Sequence, residues 1–183
     1  MSGHEIRTIK NKKKIENSTL ELLQTFQSKI TIQQIADHSK ISHVSIYNYY
    51  GSKEELIKQT ILNDTKKQLK NMEELMSLSD ITFIDVMNHM LRLKLNSMKM
   101  MDSWIFDLIL KSEEITQLNL EGNKLFSKLI EFGKMSGSIS KNVPTPTIIE
   151  YTELIQVAYT QLQFDEEKTK QFFELYFYGL KGE

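Results

Sequence analysis

Two prolines and seven glycines are the only strong chain-breakers in 183 residues, and a chain so poor in them folds as long helices joined by short loops. Helical periodicity agrees along most of the length. Ile15, Thr19, Leu22, Leu23 and Phe26 share one face of a first helix predicted over about 8–26, and the cations ahead of that face (Arg7, Lys10, Lys12, Lys13, Lys14) read as a basic arm or as a solvated terminus. A fourth helix is predicted over 53–76 and ends at Leu78-Ser79-Asp80. The fifth, over 82–99, is apolar around most of its circumference, which predicts neighbours on all sides. A sixth follows over 102–111 and a seventh over 114–135, closed by Gly137-Ser138. In Val143-Pro144-Thr145-Pro146, Thr145 reads as the cap and Pro146 as the first helical residue of an eighth helix reaching about 162. Asp165 then caps a ninth, over 166–180. The predicted fold is all-α, about nine helices, with a three-helix N-terminal unit and a C-terminal helical bundle.

Residues 31–56 carry the most chemistry. Thr31 caps a short helix and Gln34, three residues on, completes a capping box. Ile32, Ile35 and Ala36 give that helix one apolar face. Ser39, Lys40 and Ile41 make a turn, and Ser42 caps a second short helix over 43–49. Ile46 and Tyr50 point inward from it and Val44 sits at its edge, which leaves His43, Ser45, Tyr47, Asn48 and Tyr49 outward. A helix face of hydroxyls, an amide and aromatics, almost without acid, suits a nucleic-acid groove. Ser52 and Glu55 start a third helix with another capping box. Lys53 in its first turn opposes the helix dipole, an arrangement that makes sense beside a phosphate.

This pattern (Thr31, Ile35-Ala36, Ile41-Ser42, Ile46-Tyr47-Asn48-Tyr49-Tyr50 and Ser52-Lys53-Glu54-Glu55-Leu56) resembles the signature of TetR-family transcriptional regulators over about the first third of the chain. Two positions depart from it. Lys40 stands where the family usually has a turn glycine, which predicts a non-glycine residue at positive φ at about 1 kcal/mol. Tyr50 replaces the usual phenylalanine, and its hydroxyl needs a partner. The resemblance implies a division into residues 1–50, which bind DNA, and residues 51–183, which bind an effector and dimerise, with the fourth helix as connector. It implies a palindromic double-stranded operator, a homodimer through the eighth and ninth helices, and release by a small molecule. Ser42, His43, Ser45 and Asn48 are then the residues for base edges, with Val44 beside them, and Tyr47, Tyr49, Thr31 and Lys53 those for phosphates. A rival from another class remains: a helical small-molecule-binding or scaffold protein without specific DNA readout.

Charge distribution fits the DNA reading. Residues 1–58 hold nine Lys and Arg against six Asp and Glu, whereas the remainder is net acidic within a total of −1. The excess of cations coincides with the helix-turn-helix. Zero cysteines exclude disulfides and thiolate metal sites and fit a reducing cytoplasm. No stretch approaches the length of apolar chain a membrane span requires. The four histidines (His4, His38, His43, His89) lack carboxylates or second histidines at metal-ligand spacing, no glycine-rich phosphate loop is present, and no nucleophile has a recognisable partner. Neither an enzyme, a cofactor nor a metal site is expected.

Seven of the nine methionines lie between residues 72 and 101. Methionine adapts to varied apolar partners, and Met87, Met90, Met98 and Met101, with Trp104, Phe126 and Tyr151, form the candidate lining of a pocket for an apolar or aromatic effector. Lys94, His89 and Asp107 are the polar groups within reach. The same residues also suit a packed core, and both readings stay open. So it is with the aromatic ninth helix (Phe172, Phe173, Tyr176, Phe177), which fits either a dimer face or a final core hairpin.

Overall fold

The computed structural model of the protein describes residues 2–162 and 165–180, with side chains for all of these but 156–162. Among the described residues the chain forms nine α-helices and no strand: α1 Gly3–Phe26, α2 Ile32–Ser39, α3 His43–Tyr50, α4 Lys53–Met76, α5 Phe83–Met100, α6 Ser103–Leu110, α7 Glu113–Met135, α8 Thr145–Leu162 and α9 Glu166–Leu180. A 3-10 turn, Gln27–Lys29, links α1 to α2. None of the helices is long and apolar enough to cross a membrane.

Two compact units emerge from the contacts: residues 1–68 with 96–118, and residues 69–95 with 119–183. Helices α4, α5 and α7 each contribute residues to both. In the first unit Ile15, Leu23, Ile30, Ile35, Ile46, Leu56, Ile57 and Ile105 are shut away from solvent. Each such side chain stabilises the fold by about 1.5–3 kcal/mol relative to exposure. The capped turns hold these residues on converging faces. Helix α1 begins earlier than its periodicity suggests, because Ser2 and Glu5 form a reciprocal capping box: the Ser2 hydroxyl accepts from the Glu5 amide at 3.3 Å and the Glu5 carboxylate from the Ser2 amide at 2.7 Å. The supposed basic arm is therefore helical throughout.

The second unit centres on Met72, Phe83, Val86, Met87, Leu129, Ile130, Ile139, Ile148 and Leu180. Phe83 stacks on Phe177 at 5.7 Å between ring centres, a pair worth about 0.5–1.5 kcal/mol beyond its buried area. Two expectations fail here. Only Phe83, Val86 and Met87 of α5 are fully buried, so this helix packs on one side instead of being enclosed. Helix α8 starts at Thr145 itself, whose hydroxyl bonds Glu131 and Lys134 of α7 rather than capping its own helix. Phe173 and Phe177 pack into the unit's own core, while Phe172, Leu175 and Tyr178 of α9 stay exposed. Asp165 does cap α9, accepting from the Lys168 amide at 2.7 Å.

Candidate nucleic-acid interface

Local hydrogen bonds fix the helix-turn-helix. Thr31 and Gln34 close their capping box: the Gln34 amide donates to the Thr31 hydroxyl at 3.2 Å and the Thr31 amide to the Gln34 side-chain oxygen at 2.8 Å. Helix α2 ends on Lys40 at φ 59° and ψ 33°, the left-handed conformation expected of that position. The chain then turns so that the Ile41 amide reaches the Ala36 carbonyl at 3.3 Å, and Ser42 caps α3 by accepting from the Ser45 amide at 3.2 Å. The start of α4 departs from its reading. The Glu55 amide does bond the Ser52 hydroxyl at 3.0 Å, but the Glu55 carboxylate turns to Lys58 and Gln59 instead of closing a box. Those two bonds, that from Lys58 first, hold the Glu55 carboxyl below the usual range.

This frame decides which side of α3 faces out. Ile46 and Tyr50 are buried, whereas Ser42, His43, Val44, Tyr47 and Asn48 are exposed and Ser45 and Tyr49 half-buried. Ser42, His43 and Lys40 also line a shallow hollow of about 370 Å³ with Gln33, Ala36, Asp37 and Ile41. Tyr50 has the partner its hydroxyl needs: it donates to Glu16 at 3.2 Å, with the Lys12 carbonyl at 3.4 Å. Burial first, and the Glu16 carboxylate second, push this phenol far above its ordinary value, so it is neutral at any physiological pH. Tyr49 differs. Its oxygen accepts from the Asn11 side-chain amide at 3.3 Å, which leaves the phenolic proton to be donated elsewhere. Thr31 is exposed, and its hydroxyl also lies 2.9 Å from the Gln34 oxygen. Lys53 is half-buried, with its ammonium on the carbonyls of Ser28 and Ile30 at 3.0 and 3.2 Å and 5.6 Å from the centre of the Trp104 ring. Two of its three donors are thus occupied within the protein.

The seven candidate effector contacts divide between the two units. Met87 is buried in the second unit, and Met90 and Phe126 pack against the same core. Tyr151 stacks on Tyr176 at 5.9 Å and lines, with Val143, Thr147, Ile148, Gly179 and Leu180, a hollow of about 260 Å³. Met98, Met101 and Trp104 belong to the first unit, the methionines half-buried and the tryptophan exposed. The His89 Nε2 is buried with no hydrogen-bond partner among the described residues. No group of three His, Asp or Glu side chains able to hold a metal gathers among them.

Residues 28–60 match the sequence profile of the bacterial regulatory proteins of the tetR family. The matched stretch runs from the α1–α2 link through the exposed α3 face into α4. The chain is a TetR-like DNA-binding regulator. Solved structures extend the likeness in fold to about nine-tenths of the chain. Reduced NemR of E. coli superposes with a TM-score of 0.64 at 14% identity, covering 93% of this chain and 96% of its own. A TetR-family transcription regulator from Marinobacter aquaeolei gives 0.54 at 17% identity over 94% and 96%. FadR of Bacillus subtilis, in complex with stearoyl-CoA, gives 0.51 at 15% over 89% and 96%. A comparison with curated protein sequences found no match. Sequence reasoning had pointed to the α3 face. It missed Asn11 and Glu16, which hydrogen-bond Tyr49 and Tyr50 from outside residues 31–56.

Proposed function

We propose that this regulator binds a palindromic operator as a homodimer, represses in the free state, and is released by a small apolar or aromatic molecule. Residues 1–50 are its DNA-reading part, α4 the connector, and residues 51–183 the effector-binding and dimerising part. Two recognition helices of a symmetric dimer would enter successive major grooves, about 34–36 Å apart. Ser42, His43, Ser45 and Asn48 are its residues for base edges, with Val44 beside them. Tyr47, Tyr49, Thr31 and the remaining donor of Lys53 are suited to phosphates. The observation that carries this reading is the sidedness of α3, with Ile46 and Tyr50 inward and His43, Tyr47 and Asn48 in solvent. Dimerisation through α8 and α9 is supported by the exposed Tyr151, Leu154, Leu175 and Tyr178. The apolar effector is supported by the fold's use in a FadR in complex with stearoyl-CoA.

The test is a duplex selected by the wild-type protein from a random pool, compared with an unselected duplex of equal length. Asn48→Ala should weaken binding to the selected duplex by about 1–3 kcal/mol and leave the unselected one nearly unchanged. Equal losses on both would remove base reading from Asn48. A wild-type protein that enriches no sequence would sink the operator reading and favour the scaffold alternative.

A further inference from the structure

The short link between α1 and α2 is tied from outside by residues that lie far along the chain. Gln27, at its head, has φ 48° and ψ −134°, a conformation that L side chains rarely adopt and that persists only where the surroundings hold it. Its side-chain amide donates to the Lys99 carbonyl at 3.2 Å. The Ser28 amide donates to one oxygen of Asp102 at 3.1 Å, and the Ser28 hydroxyl donates to the same oxygen. The second Asp102 oxygen caps α6, accepting from the Ile105 amide at 3.0 Å. From the other side, Lys53 takes the carbonyls of Ser28 and Ile30. The link leads straight into the Thr31 cap of α2 and so sets where the helix-turn-helix begins.

We propose that Asp102 is a positioning residue for DNA reading: by holding Ser28 while capping α6, it fixes the α1–α2 link and with it the placement of α2 and α3. Both of its oxygens are engaged by donors, so no neutral isostere can replace it. An asparagine offers one acceptor where two are needed, and its amide group would confront either the Ser28 donors or the Ile105 amide. Burial pushes the pKa of this carboxyl up, but the bonds from the Ser28 side chain and from the Ile105, Ser28 and Trp104 backbone outweigh it and hold the group below the usual range. The carboxylate is thus the form the link is built around. The inference rests on the DNA-reading role proposed above.

Two measurements separate it from that role. The first needs no DNA: amide hydrogen exchange of the full-length protein. Asp102→Asn should speed exchange at Ser28 and Ile30 by about tenfold or more, as expected for losing a bond to a charged acceptor. The emission of Trp104 should move with it, since its ring lies under Lys53 of the same cluster. Ser28→Ala should give a smaller effect in the same direction, and Ser28→Thr, which keeps both donors, should match wild type. Ser28→Ala and Asp102→Asn combined should cost clearly less than the two separately, because they break one contact. The second measurement is affinity for the duplex selected by the wild-type protein, which Asp102→Asn should weaken about tenfold while Ser28→Thr leaves it within about twofold of wild type. Unchanged exchange at the link would overturn the pin itself. Faster exchange with undiminished DNA affinity would overturn the positioning role. A wild-type protein that selects no duplex would remove the DNA role, and the exchange data would still decide whether Asp102 holds the link. If Asp102→Asn does not fold, Ser28→Ala against Ser28→Thr carries the same comparison.

Discussion

Helix α9 presents two apolar faces with opposite fates, and Leu175→Glu separates them. Leu175 is 66% exposed within one chain. Its replacement should therefore change the stability of a lone chain by no more than about 0.5 kcal/mol, as surface substitutions do. Buried in a symmetric interface the same side chain counts twice. Covering a leucine contributes about 1.5–3 kcal/mol, and about two-thirds of it remains to be covered here, so a pair of them contributes roughly 2–4 kcal/mol. At about 1.4 kcal/mol per factor of ten, dimer dissociation should rise by at least thirtyfold to a few hundredfold, before the cost of burying two carboxylates is added. Phe177→Ala is the contrasting change. It removes a ring that stacks on Phe83 in the unit's own core, and should cost about 3 kcal/mol or more of folding stability. Sedimentation equilibrium across a concentration series, paired with thermal melts at high dilution, reads both. A Leu175→Glu protein that dimerises as tightly as wild type would remove the outer face of α9 from the interface. A wild-type chain that is monomeric at micromolar concentration would remove the two-headed mechanism.

Gly133→Ala should lower the melting temperature by about 2–6 °C, despite alanine's better helix propensity. A Cβ there would meet Ile139 at 2.7 Å and the buried Phe83 ring at 2.8 Å, and Ile139 cannot swing away freely because its amide bonds the Gly133 carbonyl at 3.0 Å. A variant that melts higher would show that this contact yields easily. Acid should loosen the α1–α2 link before the fold melts. The Asp102 carboxyl is depressed in the folded protein, so its contribution is complete above the unfolded value of about 3.9 and is lost as pH falls through the lower folded value. A pH titration of Trp104 emission should show that step in wild type and lack it in Asp102→Asn.

Much of the reading head was legible because its determinants are local. A cap reaches three residues along the chain, so Thr31 with Gln34 and Ser42 with Ser45 needed no knowledge of the fold. The left-handed Lys40 was implied by the family resemblance, which has a turn glycine there, and the inward Tyr50 followed from helical spacing. Ser2 and Glu5 carried the same kind of signal, but the lysine run behind them drew attention to charge instead of capping. Where a distant group competes for the same atom, sequence misleads. Thr145 looked like a cap, and Glu131 and Lys134 of α7 claimed its hydroxyl. Helix α9 is apolar on two sides, and only the packing of Phe83 against Phe177 shows which side is inner. Asp102 lies 74 residues from Ser28, beyond the reach of any periodicity.

The way α4, α5 and α7 feed both compact units bears on inheritance. Neither unit is a continuous stretch of chain, since residues 96–118 belong with the N-terminal helices. A crossover that replaced only the first 50 or 68 residues would carry α1–α3 away from Lys99, Asp102 and Trp104, which hold the link between α1 and α2 and flank its lysine. Such a hybrid would inherit the letters of a reading head without its brace. A working chimaera has to exchange 96–118 along with the N-terminus, so new DNA specificity in a chain built this way is more readily reached by point changes on the α3 surface than by transplanting the motif whole.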